Sequence, residues 1–447
     1  MRNWVAMLLV VILILLCGCT EPTSAQLEWE AGFGCVTLEL PQEPDEPLYI
    51  AGYHTGREIT GILDEQQARA LWLSDGNASM LIISVDCVAL GSDTVQTIRD
   101  KLSDFCRRTG CSSVNVVATH THAGVDTLGL WGPVGIDGKN SIFMETLIDG
   151  AVTAAEAAYA DRCEGTLSYS ATEIARLQED SRDPQVYDNR LYQLCFTPAD
   201  DEHNGIRLVS FAAHAEALRG DNTLVSRDYP GLVCDRITEK TGEDVLFLPG
   251  AIGGLIMTPE LTQGNFDARE NLLLTAEAIA SCALSAEEGH QLLPDLKYAQ
   301  VQWETPLNNT IFLYYKFLGI LQNDVRQSLT GAYYLQTELT LVRLGDLTLA
   351  LLPGEIFPEL VSGTGDPEDP EGLQQIAARY GMEDLLVVGL ANDEIGYIVP
   401  PSDFVLDEEL PYLQEAEGDH YEETNSLGPA CAEDLAQAFE KACKAVS

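Results

Sequence analysis

The stretch VNVVATHTHAG, residues 114–124, joins a run of apolar and β-branched side chains to two histidines. The run Val114–Thr119 is typical of a buried β-strand, and His120 and His122 follow directly after it. In α/β folds the ends of strands are where binding sites assemble. The stretch therefore predicts a buried strand and a candidate site at its end. A pair of surface histidines is the plainer alternative.

Strand-like and helix-like segments alternate on both sides of this stretch. The predicted strands are Met80–Leu90, Arg207–Ala213, Val245–Leu248, Leu339–Leu344, Thr348–Leu352 and Leu385–Leu390. The predicted helices are Thr94–Arg108, Phe143–Ala160, Tyr229–Thr241, Ala268–Ser285 and Ala430–Val446. This alternation predicts an α/β protein with mixed sheets and flanking helices. The acidic stretches Gly363–Gly372 and Asp407–Asp419 are expected to be surface insertions.

The amino terminus has the features of a bacterial lipoprotein signal. Arg2 precedes the apolar run Val5–Leu16, which is too short to span a bilayer unaided, and Leu16-Cys17-Gly18-Cys19 resembles a lipobox. We expect residues 1–18 to be the signal peptide, with Cys19 lipidated and residues 19–30 forming a flexible tether. Residues 31–447 are expected to form one α/β domain, extracytoplasmic and held at the bacterial membrane by the lipid. An ordinary secretory signal or a transmembrane anchor is the alternative.

Charge and composition exclude some classes of function. The formal net charge of −45 argues against nucleic acid as a partner, because phosphates would be repelled. Hydrophobic residues make up 46% of the chain, which is enough for a sizeable core and argues against disorder. None of the cysteine spacings resembles a zinc knuckle or a redox CxxC motif.

Other polar residues also follow predicted strands. His214 follows Val209–Ala213, and a lone histidine after an apolar strand is more often structural than functional. Glu355 follows Leu349–Pro353 and is either a metal ligand or an acid that caps a helix. Tyr397 and Tyr421 lie near or beyond the last predicted strand. Taken alone, each tyrosine would be expected to lie in the core or at the edge of a site. Residues two apart on an extended segment point to opposite faces, so His120 and His122 are expected to play different roles.

Taken in order, these segments resemble the neutral/alkaline (non-lysosomal) ceramidase family. The resemblance is spread over residues 31–447 in short motifs, of which His120-Thr121-His122 is the most specific. The other matching segments are Ala51-Gly52-Tyr53 with Arg57, Thr60-Gly61-Ile62, Ala68-Arg69-Ala70, Ile82–Cys87, Phe211–His214 with Asp228–Gly231, Leu352–Glu355, Gly389–Asn392 with Gly396-Tyr397, and Tyr421-Glu422 with Gly428-Pro429.

The resemblance implies a zinc-dependent hydrolase of an amide or ester bond in a small molecule or lipid. It implies one Zn²⁺ ion held by His120, His214, Glu355 and Tyr397, and substrate- or oxyanion-facing roles for His122, Tyr421 and the further candidate Arg182. Two imidazoles and a carboxylate are a common catalytic zinc set that activates water. Asp86 is a candidate for a hydrogen bond to a metal ligand, which would fix the orientation of that ligand.

The sequence departs from the family pattern in two respects. Where ceramidases carry Asp-x-Ser with a catalytic serine, this chain has Gly250-Ala251-Ile252-Gly253-Gly254-Leu255-Ile256. The C-terminal immunoglobulin-like domain of longer members is not expected here. The missing serine favours direct attack by zinc-activated water and weakens the case for ceramide as substrate. A non-catalytic cell-surface binding protein that retains the fold, and a hydrolase of phosphate esters or glycans, are the alternatives.

Overall fold

The computed structural model describes residues 28–42, 47–174, 177–180, 182–257, 267–287 and 289–447. The predicted signal peptide and Cys19 lie outside these residues, so neither prediction is tested by the structure. The first strand begins at Trp29, inside the last two residues of the predicted tether. None of the helices in the described ranges combines the length and hydrophobicity that a membrane crossing requires.

Strands and helices alternate through the described chain. The strands are β1 (Trp29–Thr37), β2 (Gly61–Ile62), β3 (Gln67–Ser74), β4 (Ser79–Val85), β5 (Ser113–Ala118), β6 (Cys163–Glu173), β7 (Gln178–Asp180), β8 (Arg190–Pro198), β9 (Ile206–Phe211), β10 (Leu224–Val225), β11 (Asp244–Pro249), β12 (Leu255–Met257), β13 (His290–Leu292), β14 (Leu296–Pro306), β15 (Asp324–Gln327), β16 (Tyr333–Leu344), β17 (Leu347–Leu351), β18 (Glu355–Ile356), β19 (Asp384–Val388) and β20 (Tyr397–Ile398). The α-helices are α1 (Ser92–Lys101), α2 (Ser103–Thr109), α3 (Ser141–Ala160), α4 (Asp228–Thr241), α5 (Ala268–Ser285), α6 (Thr310–Phe317), α7 (Pro358–Ser362), α8 (Leu373–Ala378), α9 (Tyr421–Thr424) and α10 (Ala430–Val446).

Two mixed sheets form the centre of the molecule. The larger sheet has the order β11-β9-β8-β6-β1-β3-β4-β5, with β13 beside β6; β4 with β5 and β9 with β11 are its parallel pairs. The smaller sheet has the order β14-β16-β17-β19, with β15 beside β16, and only β17 and β19 are parallel among these pairs. The expected α/β class with mixed sheets and flanking helices is confirmed.

The sheets pack against each other because their strands are apolar on both faces. In β4, Met80 and Ile82 join the core between the sheets, whereas Leu81 and Ile83 face the helices outside. Leu349 of β17 enters the same inter-sheet core. Such near-continuous apolar runs are expected of strands buried on both sides.

Helices cover the outer faces of both sheets. Helices α1, α2 and α3 cover the β1-β3-β4-β5 half of the larger sheet, and α4 with α5 covers its β8-β9-β11 half. Helix α10 packs its apolar face, including Leu435 and Phe439, on the smaller sheet. The predicted helix Thr94–Arg108 is two helices, α1 and α2, joined at Leu102. Both predicted acidic insertions lack strands and α-helices.

This topology gathers several strand ends at one edge. The carboxyl ends of β5, β9 and β17 lead into the segments that carry His120, His214 and Glu355. Strand β18 then pairs in parallel with β20, with Glu355 beside Tyr397 in the register. Residues more than two hundred positions apart in the sequence therefore meet at this edge.

Candidate metal centre

His120 lies just past the end of β5, where the backbone turns sharply. Its φ of 64° lies in the left-handed region, which a residue other than glycine rarely adopts and which costs free energy unless the surroundings enforce it. The turn breaks the extended conformation, so His120 and His122 do not point to opposite faces. Their Nε2 atoms lie 3.1 Å apart. The expectation of opposite faces is wrong for this physical reason.

His214 reaches the same place from β9 because the two histidine segments run side by side. Thr121 and Ala215 form a parallel bridge, and the amide of His122 donates to the carbonyl of Ala215 at 2.9 Å. The rings of His120 and His214 consequently lie 4.8 Å apart, centroid to centroid. His214 is therefore part of the site rather than a structural histidine.

Glu355 and Tyr397 complete the cluster from β18 and β20, which form a two-stranded sheet of their own. Glu355 Oε2 lies 3.0 Å from Nε2 of His214 and 3.4 Å from Nε2 of His120. The Tyr397 hydroxyl lies 3.3 Å from the same nitrogen of His214. The structure thus brings together all four residues that the resemblance implies as metal ligands, and all four are buried.

Backbone carbonyls orient two of the imidazoles. Nδ1 of His120 lies 2.8 Å from the carbonyl of Val88, and Nδ1 of His214 lies 2.7 Å from that of Leu255. Each Nδ1–H donates there, so that in the neutral imidazole the Nε2 lone pair faces the cluster, as a metal ligand requires. Asp86 does not have the expected orienting role, because its carboxylate contacts Arg69 and Thr119 instead.

The donor atoms have the spacing of a metal site. Ligand atoms about 2.0–2.1 Å from a tetrahedral ion lie roughly 3.3–3.4 Å from one another. Oε2 of Glu355 lies 3.4 Å from Nε2 of His120 and 3.0 Å from Nε2 of His214. The latter nitrogen lies 3.3 Å from the Tyr397 hydroxyl. Moreover, the buried Oε2 of Glu355 has no well-formed hydrogen bond. A buried carboxylate oxygen without a partner is costly, and a cation at the point where these atoms converge would satisfy it. This donor set fits zinc.

His122 differs from the other two imidazoles. Its Nε2 faces the cluster, but its buried Nδ1 has no hydrogen-bond partner and lies 3.9 Å from Glu216 Oε2. Glu216 in turn accepts a hydrogen bond of 2.9 Å from the Tyr53 hydroxyl. The three histidines together could also hold a metal ion. Because no carbonyl fixes the ring of His122, we assign it to the substrate side.

The protonation of the cluster follows from burial and from Glu355. Burial and the nearby charges of His120 and His214 lower the pKa of His122, which is therefore neutral at pH 7. Burial also lowers the pKa of His214, but the adjacent carboxylate of Glu355 outweighs it and raises that pKa to about 9. For Glu355, burial raises the pKa, and the close approach of His120 and His214 brings it well below its usual range.

A cavity of about 570 Å³ opens onto the cluster. Tyr421 lies on its wall, 6.3 Å from Tyr397 between ring centroids, and burial with the charge of Glu355 raises the pKa of Tyr421 to about 12. The tyrosine hydroxyl therefore keeps its proton and can donate it in a hydrogen bond. Apolar side chains line much of the remaining wall, among them Leu128, Leu130, Trp131, Leu307, Phe312 and Leu335.

Arg182 is not brought into the cluster. Its guanidinium forms two 2.9 Å hydrogen bonds with the carboxylate of Glu423 and a 2.7 Å hydrogen bond to the carbonyl of Asp403. Glu422 lies 3.4 Å away. Arg182 therefore anchors the turn that carries Tyr421, and its donors are already occupied. The expectation that it faces a substrate does not fit this geometry.

Glu216 was not among the residues predicted from the sequence. It follows His214 by two positions and lines the cavity beside Tyr53. The carbonyls of Val88 and Leu255 were also missed, because a backbone acceptor leaves no trace in residue identity. The only available signal for Glu216 was an acidic residue directly after a histidine-bearing strand end.

Comparison with solved structures identifies the fold. The chain is similar to the neutral ceramidase of Pseudomonas aeruginosa, with a TM-score of 0.72 and 16% sequence identity over 93% of this chain and 74% of that one. It is also similar to a ceramidase complexed with C2, with a TM-score of 0.70 and 17% identity over 93% of this chain and 75% of the other. No family model and no curated protein matches the sequence. The resemblance seen in the sequence is confirmed at the level of the fold.

Proposed function

We propose that this protein is a zinc-dependent hydrolase of an amide bond, or a related ester bond, in an N-acyl compound such as a lipid. The observation that carries the proposal is the convergence of His120, His214, Glu355 and Tyr397 with metal-ligand spacing at the floor of a largely apolar cavity. The fold shared with two ceramidases supports the same reaction class.

The four ligands would hold a single zinc ion. When bound, such an ion supplies Lewis acidity and lowers the pKa of a coordinated water to about 7. The protein's own part is to keep both imidazoles in one orientation through the carbonyls of Val88 and Leu255. Burial of the site excludes bulk water and strengthens its electrostatic interactions.

His122 and Tyr421 would act on the substrate. A neutral His122 with a free ring can donate a hydrogen bond to the oxygen that gains charge as the amide carbonyl is attacked. For this its single proton must lie on Nε2, so Nδ1 carries the lone pair and donates nothing to Glu216, whose Oε2 lies 3.9 Å away. Tyr421, protonated at neutral pH, is a second donor on the cavity wall.

The glycine-rich segment 250–256 has no hydroxyl side chain to serve as a nucleophile. Water is then the attacking group, and no acyl-enzyme forms. The cavity suits a substrate with an apolar chain, because Leu128, Trp131, Phe312 and Leu335 line its wall.

The proposal is tested by measuring metal content and activity together. Purified protein should contain close to one zinc ion per chain and release fatty acid from N-acyl substrates, without a burst phase in pre-steady-state kinetics. Chelation should abolish hydrolysis and zinc should restore it. A protein with one zinc ion that hydrolyses none of a broad panel of N-acyl, phosphate-ester and glycan substrates would instead be a binding protein.

We also propose that the protein works at the outer face of the bacterial membrane. The lipobox ending at Cys19 supports this, since an acyl chain on that cysteine would hold the domain by a short tether at a lipid surface.

A further inference from the structure

Five exposed apolar side chains lie on two segments that meet beside the cavity. Val134 and Ile136 are 79% and 61% exposed, and Tyr314, Phe317 and Leu318 are 54%, 69% and 46% exposed. We call these residues the apolar rim. Exposed apolar residues are ordinary when scattered, but a contiguous group marks a surface that binds something.

Two separate segments form the apolar rim and brace each other. Lys139 donates hydrogen bonds from its ammonium group to the carbonyls of Ile320, at 2.8 Å, and Leu128, at 3.4 Å. A Cβ placed on Gly135 would lie 3.8 Å from the hydroxyl of Tyr314 and 3.9 Å from Leu318. The segment around Gly135 therefore lies against the end of helix α6. The apolar rim is therefore a defined surface and not two loose loops.

The same two segments line the cavity from within. Leu130 and Trp131 lie on the cavity wall just before Val134, and Phe312 and Leu321 lie there on either side of Phe317. Helix α6 has no buried residue, although its sequence TIFLYYKF is mostly apolar. The apolar wall of the cavity thus continues outward into an apolar surface.

Charge decides what kind of partner fits this surface. The chain carries a formal net charge of −45, which repels an anionic membrane. The lysines of the two segments offset little of this, because Lys139 lies 3.5 Å from the carboxylate of Asp137 and the ammonium group of Lys316 is held at the carbonyl of Asn323 at 2.7 Å. The partner that fits is therefore a surface with an apolar interior and no net charge.

We propose that the apolar rim docks on an uncharged or zwitterionic lipid surface and delivers lipid directly into the cavity. Aromatic and aliphatic side chains of this kind insert at the boundary between headgroups and acyl chains. Docking does not depend on the proposed hydrolysis, but the delivery of a substrate to the site rests on it.

Vesicle flotation tests the docking. The mature chain from Thr20 onward, which lacks both the apolar run Val5–Leu16 and the proposed acylation site, should float with phosphatidylcholine vesicles and much less with phosphatidylglycerol vesicles. Introducing Val134→Ser with Ile136→Ser, or Phe317→Ser with Leu318→Ser, should weaken binding to phosphatidylcholine by roughly tenfold or more.

Matched control variants lie elsewhere on the surface. Leu293 and Leu274 are 76% and 41% exposed, and replacing both with serine should leave vesicle binding unchanged. Equal losses in the control and rim variants, or no binding by the parent chain, would overturn the proposal. So would a dimer in solution that the rim variants dissociate while vesicles remain unbound, because the partner would then be a second copy.

Hydrolysis separates this inference from the proposed function. With a short-chain, water-soluble N-acyl substrate, the rim variants should keep the parent activity. When the same type of bond is presented in vesicles, their rate of hydrolysis should fall by about the same factor as their vesicle binding. Vesicle binding without any hydrolysis would refute the proposed function and leave the docking surface in place. Equal loss on both substrates would refute delivery by the apolar rim.

Discussion

Zinc binding to the metal-free protein should release a proton from His214. Glu355 Oε2 lies 3.0 Å from Nε2 of this histidine, and although burial lowers the pKa of His214, the carboxylate raises it to about 9. A group with that pKa is mostly protonated at pH 7.5. Because a metal ion binds only the neutral imidazole, that proton must leave when zinc enters.

The same pKa sets how the stability of the metal-free protein depends on pH. The folded value of about 9 lies above the usual 6.5, and the difference corresponds to roughly 3 kcal/mol. A raised histidine pKa stabilises the folded state fully below pH 6.5. This stabilisation is then lost as the pH rises through 9. The zinc-loaded protein, in which His214 is neutral throughout, should lack this decline.

Calorimetric titration with zinc in buffers of different ionisation enthalpy counts the released protons. At pH 7.5 we expect about one per zinc from His214, and a second if Tyr397 binds as the phenolate, since its pKa is raised by burial and by Glu355. Urea unfolding of the metal-free Glu355→Gln variant should show a much smaller decline in stability between pH 6.5 and 9. Zinc binding with no proton release, together with a metal-free stability independent of pH in this range, would refute the reasoning.

Three further predictions concern other parts of the molecule. His122→Ala should lower turnover by roughly 10²–10³, as loss of one oxyanion donor does, and keep zinc, whereas His120→Ala should lose zinc and activity together; the reverse pattern would exchange their roles. Arg182→Met should destabilise the protein by about 3–5 kcal/mol, because it leaves buried carboxylates unpaired, and denaturant unfolding should show a smaller effect for the half-exposed Asp403→Asn. Cys19→Ala should abolish labelling by a lipid probe and leave an unprocessed precursor, and labelling that persists would exclude this acylation site.

Local patterns in the sequence were sufficient for the elements that place the site. The run Val114–Thr119 predicts a strand because its side chains are apolar and β-branched, and β5 occupies nearly the same residues. Helices Ala268–Ser285 and Ala430–Val446 have the bounds that helical spacing predicts. In each case the information lies within one segment and needs no distant partner.

Features that depend on distant partners could not be predicted in this way. The turn at His120 is a backbone conformation that histidine rarely adopts, so residue type gave no sign of it. Arg182 was expected to face a substrate, but its carboxylate partners lie about 240 positions later in the chain. An isolated arginine carries no indication of such partners. Burial of its donors against Glu423 thus became visible only in the folded structure.

The glycine segment 250–256 has a structural use at the candidate metal centre. A Cβ on Gly253 would lie within 2.4 Å of the Phe357 ring and 2.8 Å of the Phe357 amide nitrogen, next to the strand that carries Glu355. Close approach here lets the Gly253 amide donate to the carbonyl of Ile356 at 2.9 Å. The adjacent Leu255 carbonyl is thereby positioned to hold Nδ1 of His214.

Gly253→Ala should therefore weaken zinc binding without replacing a ligand side chain. The added methyl group would meet the backbone of Phe357 at 2.8 Å and that of Glu355 at 2.9 Å. Displacing this segment disturbs the support of Glu355, and loss of such support typically lowers metal affinity by roughly 10- to 100-fold. Gly205→Ala is the matched control, because its nearest neighbour is the flexible side chain of Glu243 at 3.2 Å. Zinc affinity measured by competition with a chelator should fall only in the first variant. If both variants bind zinc as the parent protein does, the glycine segment does not support the metal centre.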